Sequence, residues 1–158
     1  MSEAGDFIDA ALQYEVSPYS FPGGETDGLG HYGTSVGAIR GTVRDAMKRY
    51  PGMSHDEIMA LSSELWAVGV YERRSAAIVL LQTRVASLVA TDLTRMEGFI
   101  RSAGSGPLVD QLLSDVLLPM FAGLDARSRS RADVVIRRWA TESDDALGAA
   151  AARMRAAE

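Results

Sequence analysis

Ser35-Val36-Gly37-Ala38-Ile39-Arg40-Gly41-Thr42-Val43-Arg44-Asp45-Ala46-Met47-Lys48-Arg49-Tyr50 is a helix by its spacing. Val36, Ile39, Val43, Met47 and Tyr50 fall at i, i+3, i+7, i+11 and i+14, one face of an α-helix. Pro51-Gly52 stops it. Ser54-His55-Asp56-Glu57 then reads as a capping box, and Ile58, Leu61, Leu65 and Trp66 mark the buried face of a second helix that Gly69 ends. A third helix, from about Tyr71 to Leu88, is apolar over much of its circumference, so it should be covered on both sides. Thr91 is placed to cap a fourth helix carrying Leu93, Met96, Phe99 and Ile100. Pro107 suits the first position of a fifth, which Pro119 kinks or ends. Asp125 should cap a sixth, and Ser143 should start an Ala-rich seventh. No alternating strand run or hairpin turn interrupts the series.

The odd-numbered helices begin near residues 35, 71 and 107, 36 residues apart each time. Helix pairs repeating at that period predict an all-α chain, an α-solenoid of HEAT-like pairs. A globular helix bundle is the competing architecture. Residues 35–158 are expected to form the helical repeat domain. Residues 1–34 are expected to form an acidic Gly/Pro-rich arm, with a short helix at 3–14 before Ser17-Pro18 and Pro22-Gly23-Gly24.

The chain has 158 residues, 47% apolar and 23% charged, enough for one sizeable core or one modest repeat array. There is no cysteine, which excludes a disulfide scaffold, cysteine-based zinc sites and thiol catalysis. His31 and His55 are too few for a His-rich metal site, while a carboxylate site stays open; no metal and no cofactor are expected. Net charge is −5, but residues 1–30 hold Glu3, Asp6, Asp9, Glu15, Glu25 and Asp27 and no Lys or Arg. Six of the 21 acidic residues thus lie in the arm, leaving 15 against all 16 basic residues in the body. A uniformly basic nucleic-acid binder is excluded; a local basic face is not. The start has no basic region followed by an apolar one, and Ala76–Leu81 is too short to span a bilayer. The expected location is the cytoplasm, with no membrane partner.

Gly28-Leu29-Gly30-His31-Tyr32-Gly33 matches G-x-G-x-x-G, but Pro18 and Pro22 precede it where a dinucleotide site needs a strand. A flexible arm is the better reading. Arg40, Arg44 and Lys48, four residues apart, form a stripe able to meet phosphates or simply to face water. Arg127, Arg129, Arg131, Arg137 and Arg138 form a second cluster. Asp110 lies three residues after Pro107, where a first-turn carboxylate would favour the helix dipole. Trp66 and Trp139 sit at core spacing.

Tyr32-Gly33-Thr34-Ser35-Val36-Gly37-Ala38-Ile39-Arg40 resembles the opening motif of the bacterial DNA alkylation repair enzymes, the HEAT-like-repeat alkylpurine DNA glycosylases. The resemblance continues through Leu65-Trp66, Tyr71-Glu72-Arg73-Arg74, Phe99-Ile100-Arg101-Ser102, Leu108-Val109-Asp110, Arg138-Trp139-Ala140 and Ser143-Asp144, covering about 32–150 in order. It implies a solenoid whose basic concave face holds duplex DNA without flipping the base, unlike other glycosylases. It also implies that Asp110 stabilises the cationic sugar formed as the glycosidic bond of an alkylated purine breaks. Arg40, Arg44, Lys48, Arg101, Arg137 and Arg138 are then the candidate DNA contacts, and binding should be weak and salt-sensitive.

Departures from the family pattern bear on activity. Ser105 and Gly106 stand where the family has Trp, Ala146 and Ala149 replace a Trp and a basic residue, and Gly37 replaces a Pro. The chain also stops before the family's last repeats. Any glycosylase activity should be weak or lost; the alternative is a non-enzymatic HEAT-like scaffold for a protein or nucleic acid. Leu147, Met154 and the C-terminal alanines suggest an apolar solenoid end. Either a second copy would cover that end, making a homodimer, or the N-terminal arm would fold over an exposed face.

Overall fold

The computed structural model describes residues 2–15 and 28–157, which pack as two compact units, Met1–Thr83 and Arg84–Glu158. The Ser17–Gly24 break, Glu25 and Asp27 lie outside the described residues. The chain is all-α, with one isolated bridge, Gly30 to Val70, and no strand among the described residues. Neighbours in sequence pack as pairs, Glu3–Tyr14 with Val36–Arg49, His55–Ala67 with Tyr71–Thr83 and Ala126–Ala140 with Asp145–Ala156; the repeat spacing instead pairs Val36–Arg49 with His55–Ala67, and Val36–Arg49 packs mainly on Glu3–Tyr14 and Tyr71–Thr83.

In the first unit α1 (Glu3–Tyr14), α2 (Val36–Arg49) and α3 (His55–Ala67) each start on a serine. The hydroxyls of Ser2, Ser35 and Ser54 accept from the N–H of Gly5, Ala38 and Glu57 at 3.1–3.2 Å. Each thereby satisfies a donor that the first turn leaves without a partner. α4 (Tyr71–Thr83) is buried along Glu72–Leu81 and packs on α1, α2 and α3, as its all-round apolarity predicts. α1 is not a loose arm. Ile8 and Leu12 are fully buried, and the helix packs on the other three of its unit.

α4 ends five residues earlier than its apolar run suggests. Thr83 Oγ1 donates to Leu80 O, Ser87 Oγ donates to Arg84 O, and the chain tightens into 3-10 turns at Val85–Ser87 and Ala90–Asp92. Local side-chain bonds of this kind compete with helix continuation. Asp92, not Thr91, organises the approach to α5 (Leu93–Ser102), its carboxylate accepting from Val89 N at 2.8 Å.

In the second unit α6 (Gly106–Leu112), a π-turn (Leu113–Leu117) and α7 (Leu118–Gly123) run on without a break. Pro119 therefore does not end the helix, which runs on to Gly123. Leu118 N donates to Leu113 O, five residues back, and the widened turn makes room for the proline ring. Pro107 is the second helical residue, after Gly106. α8 (Ala126–Ala140) is capped by Asp125, whose carboxyl the Ser128 N–H holds below the ordinary carboxylate range. α9 (Asp145–Ala156) is capped by Asp144 rather than Ser143; its carboxylate accepts from Leu147 N at 3.0 Å. An ionised acceptor suits a helix N-terminus better than a hydroxyl.

Leu147 and Met154 are buried in this unit, where α9 packs on α8 and α5. The apolar residues that suggested pairing with a second copy are thus covered by the chain itself.

Candidate functional site

Asp110 is the fifth residue of α6, past the first turn, so it does not cap its own helix. Its carboxylate is 69% exposed and meets Arg153 of α9, whose Nη1 donates to Oδ1 at 2.5 Å. Arg153 is 43% exposed. Helical geometry explains the meeting: Leu147, Ala150, Ala151 and Met154 face the core, which leaves Arg153 at the edge of the buried stripe, beside α6. Sequence reasoning missed Arg153 because nothing local marks a pair 43 residues apart.

Arg101 and Arg138 come together on one carboxylate. Glu97 lies 3.7 Å from Arg101 and 3.4 Å from Arg138, and Arg101 also reaches Glu142 at 3.3 Å. Two Arg and two Glu make this surface network neutral. Arg137 instead shares a notch of about 110 Å³ with Asp133, Ile136 and Arg155. In the first unit Arg40, Arg44 and Lys48 are exposed on α2, opposite the buried Ile39, Thr42, Val43 and Ala46. Arg40 Nη1 also donates to Gln82 Oε1 at 3.0 Å.

The aromatic residues of the second unit are Phe99, Phe121 and Trp139, exposed by 5%, 5% and 0%. No ring of this unit is therefore free to stack on a base beside Asp110. Ser105 has a buried Oγ with no hydrogen-bond partner.

The Tyr71–Arg74 motif turns out to hold the first unit together. Glu72 is 4% exposed and accepts from the N–H of Tyr32 at 2.8 Å and of Gly33 at 3.1 Å. Arg73 is 1% exposed, pairs with Asp9 at 2.9 Å and donates to the carbonyls of Leu65 and Glu64. Arg74 donates to Trp66 O at 3.0 Å and lies over the Trp66 ring at 5.4 Å. Tyr32 Oη donates to Asp9 at 2.6 Å, and Thr34 Oγ1 to Leu12 O at 2.6 Å. Burial and the Asp9 carboxylate push the Tyr32 hydroxyl up to about 12. Burial alone would raise the Asp9 carboxyl, but hydrogen bonds from Tyr32 and Arg73 and the Arg73 charge hold it below the ordinary range.

These contacts fix the glycine segment as structure. Gly30 N donates to Gly69 O and Gly30 O accepts from Tyr71 N, at 2.8 and 2.9 Å. A Cβ at Gly30 would stand 3.3 Å from Val70 Cγ2. No metal-binding group of His, Asp and Glu occurs among the described residues, and no described helix is long and apolar enough to cross a membrane.

A family model described as DNA alkylation repair enzyme matches residues 21–156. Neither a curated protein nor a solved structure matches the chain.

Proposed function

Because the chain belongs to the DNA alkylation repair enzyme family, we propose that it binds duplex DNA and hydrolyses the N-glycosidic bond of cationic alkylated purines. The family match over 21–156 carries this reading, and the exposed Asp110 carboxylate supports it. As the bond from C1′ to the purine nitrogen breaks, its electron pair neutralises the purine. The sugar becomes an oxocarbenium ion, and water then adds at C1′ and loses a proton to solvent. An anionic carboxylate at that centre favours the transition state over the ground state. A purine that already carries positive charge leaves readily, so modest electrostatic help suffices.

Arg153 opposes this role while it holds Asp110, since its charge cancels the one the sugar needs. The pair is exposed, so opening it costs about 1 kcal/mol or less. A DNA phosphate is an equivalent partner for the guanidinium. In this mechanism Arg153 moves from Asp110 to the backbone as DNA arrives.

The buried aromatics favour a second reading, a scaffold that binds DNA or protein without catalysis. An enzyme that recognises a cationic purine through an aromatic face needs an exposed ring. Incubation with methylated duplex DNA separates the two. Release of methylpurine above the spontaneous rate supports the glycosylase; salt-sensitive binding without release supports the scaffold.

Binding itself is expected to be weak and to fall with salt by about 0.9 log units per log unit of salt for each phosphate contacted. Replacing Arg40, Arg44 and Lys48 together by Gln should lower that slope by up to about three units if all three meet phosphates. Arg138→Gln should change it less, because Glu97 already holds that guanidinium. Fluorescence anisotropy across a salt series reads both; a slope unchanged by the triple variant removes the α2 stripe from the interface.

A further inference from the structure

The first unit carries an open, mostly apolar groove of about 300 Å³ whose lining includes none of Arg40, Arg44 and Lys48. Ala4 of α1 and Leu61 of α3 are its buried floor, and Tyr50, Met53 and Ala60 line its sides. That volume is at the small end of ligand clefts and accepts one or two bulky side chains.

Its rim is acidic. Glu57 and Glu64 line the groove, and Glu3, Asp6 and Asp56 lie in the first turns of the same two helices. Glu64 is already engaged, accepting from Ser2 N and Oγ at 2.6 and 2.8 Å. Asp56 meets His55. Glu57 is exposed, and no ion pair of its carboxylate occurs among the described residues. At the Tyr50 end, Arg49 lies over the rings of Phe7 and Tyr50.

These charges repel nucleic acid, and an apolar floor gives a plain polycation nothing to bury. A ligand that satisfies both features has an apolar side chain next to a cation. We infer that the groove docks a basic amphipathic helix of another protein, which seats a bulky apolar residue on Ala60 and Leu61 and a Lys or Arg against Glu57. This is helix-in-groove recognition, with area supplying affinity and the carboxylate supplying orientation. The inference is independent of the glycosylase reading.

The probe is a synthetic amphipathic Leu/Lys helix, titrated into the whole chain and followed by amide chemical shifts. Its Leu/Glu counterpart and oligolysine serve as comparisons. The largest shifts are expected at Ala4, Met53, Ala60 and Leu61. Ala60→Trp, which fills the groove from an exposed position, should weaken binding roughly tenfold or more. Glu57→Gln should weaken it less and reduce its salt dependence. Circular dichroism melts check that both variants fold. Shifts spread over other acidic surfaces, equal perturbation by oligolysine, or full affinity in Ala60→Trp would overturn the proposal. So would the same groove amides responding to duplex DNA or to concentration of the chain alone.

Discussion

Asp110→Asn is expected to lower methylpurine release by roughly 100- to 1,000-fold, the usual loss when one group facing transition-state charge is removed. Asn keeps the shape and can still accept from Arg153, but it carries no charge to set against an oxocarbenium ion. Stability should change by less than about 1 kcal/mol, because the Asp110–Arg153 pair is exposed on both sides. DNA binding should be unchanged or tighter, since a negative charge near phosphate is lost and Arg153 is freed. Single-turnover release, thermal melts and anisotropy read the three effects separately. Full excision by Asp110→Asn would remove the carboxylate from the chemistry while leaving family and fold untouched.

Arg73→Ala should be the most destabilising single change in the first unit, by about 3–5 kcal/mol, the usual loss when one partner of a buried ion pair is removed. The substitution leaves Asp9 without its cation and the carbonyls of Leu65 and Glu64 without the Arg73 donors. Those carbonyls belong to α3, whereas Asp9 belongs to α1, so the docking of α1 should loosen first. Hydrogen exchange should show Ile8 and Leu12 losing protection before α3 and α4 do. Uniform loss across the unit would show that α1 is not a separable piece.

The same cluster sets a pH dependence with a definite sign. The Asp9 carboxyl is held below its unfolded value, so its contribution is full above that value, about 3.9, and lost as pH falls through the folded one. The Tyr32 hydroxyl is raised from 10.0 to about 12, so its contribution is full below 10 and lost as pH rises from there to about 12. Tyr32→Phe should flatten the alkaline arm of a stability–pH curve. An unchanged alkaline arm would mean that the Tyr32–Asp9 bond contributes nothing to it.

Chemistry confined to one or two turns was legible without coordinates. Ser54 and Asp125 were readable as caps because a cap needs only its own residue and a backbone N–H three positions on, whereas the caps read at Thr91 and Ser143 lie one residue further, at Asp92 and Asp144. The burial of α4 was legible too, since a helix apolar all round has to be covered. That same reading held an unused signal. If α4 is covered on every side, the charges at Glu72, Arg73 and Arg74 are buried with it, and buried charges must be paired.

Which groups pair with them was not in the local sequence. The mates of Arg73 and Glu72 are Asp9 and the backbone of Tyr32 and Gly33, brought to α4 only when α1 and the glycine segment dock. The same limit applies at the functional site. The sequence determined an all-α chain, the caps at Ser54 and Asp125, its family and a carboxylate at Asp110. Tertiary structure alone decided that Asp110 faces solvent beside Arg153 and that Arg101 and Arg138 share Glu97, whereas the burial of Phe99 and Trp139 followed from their helical spacing. Helical period and capping are set by residues within a few positions of each other, whereas a charge finds its mate only where distant segments are packed together.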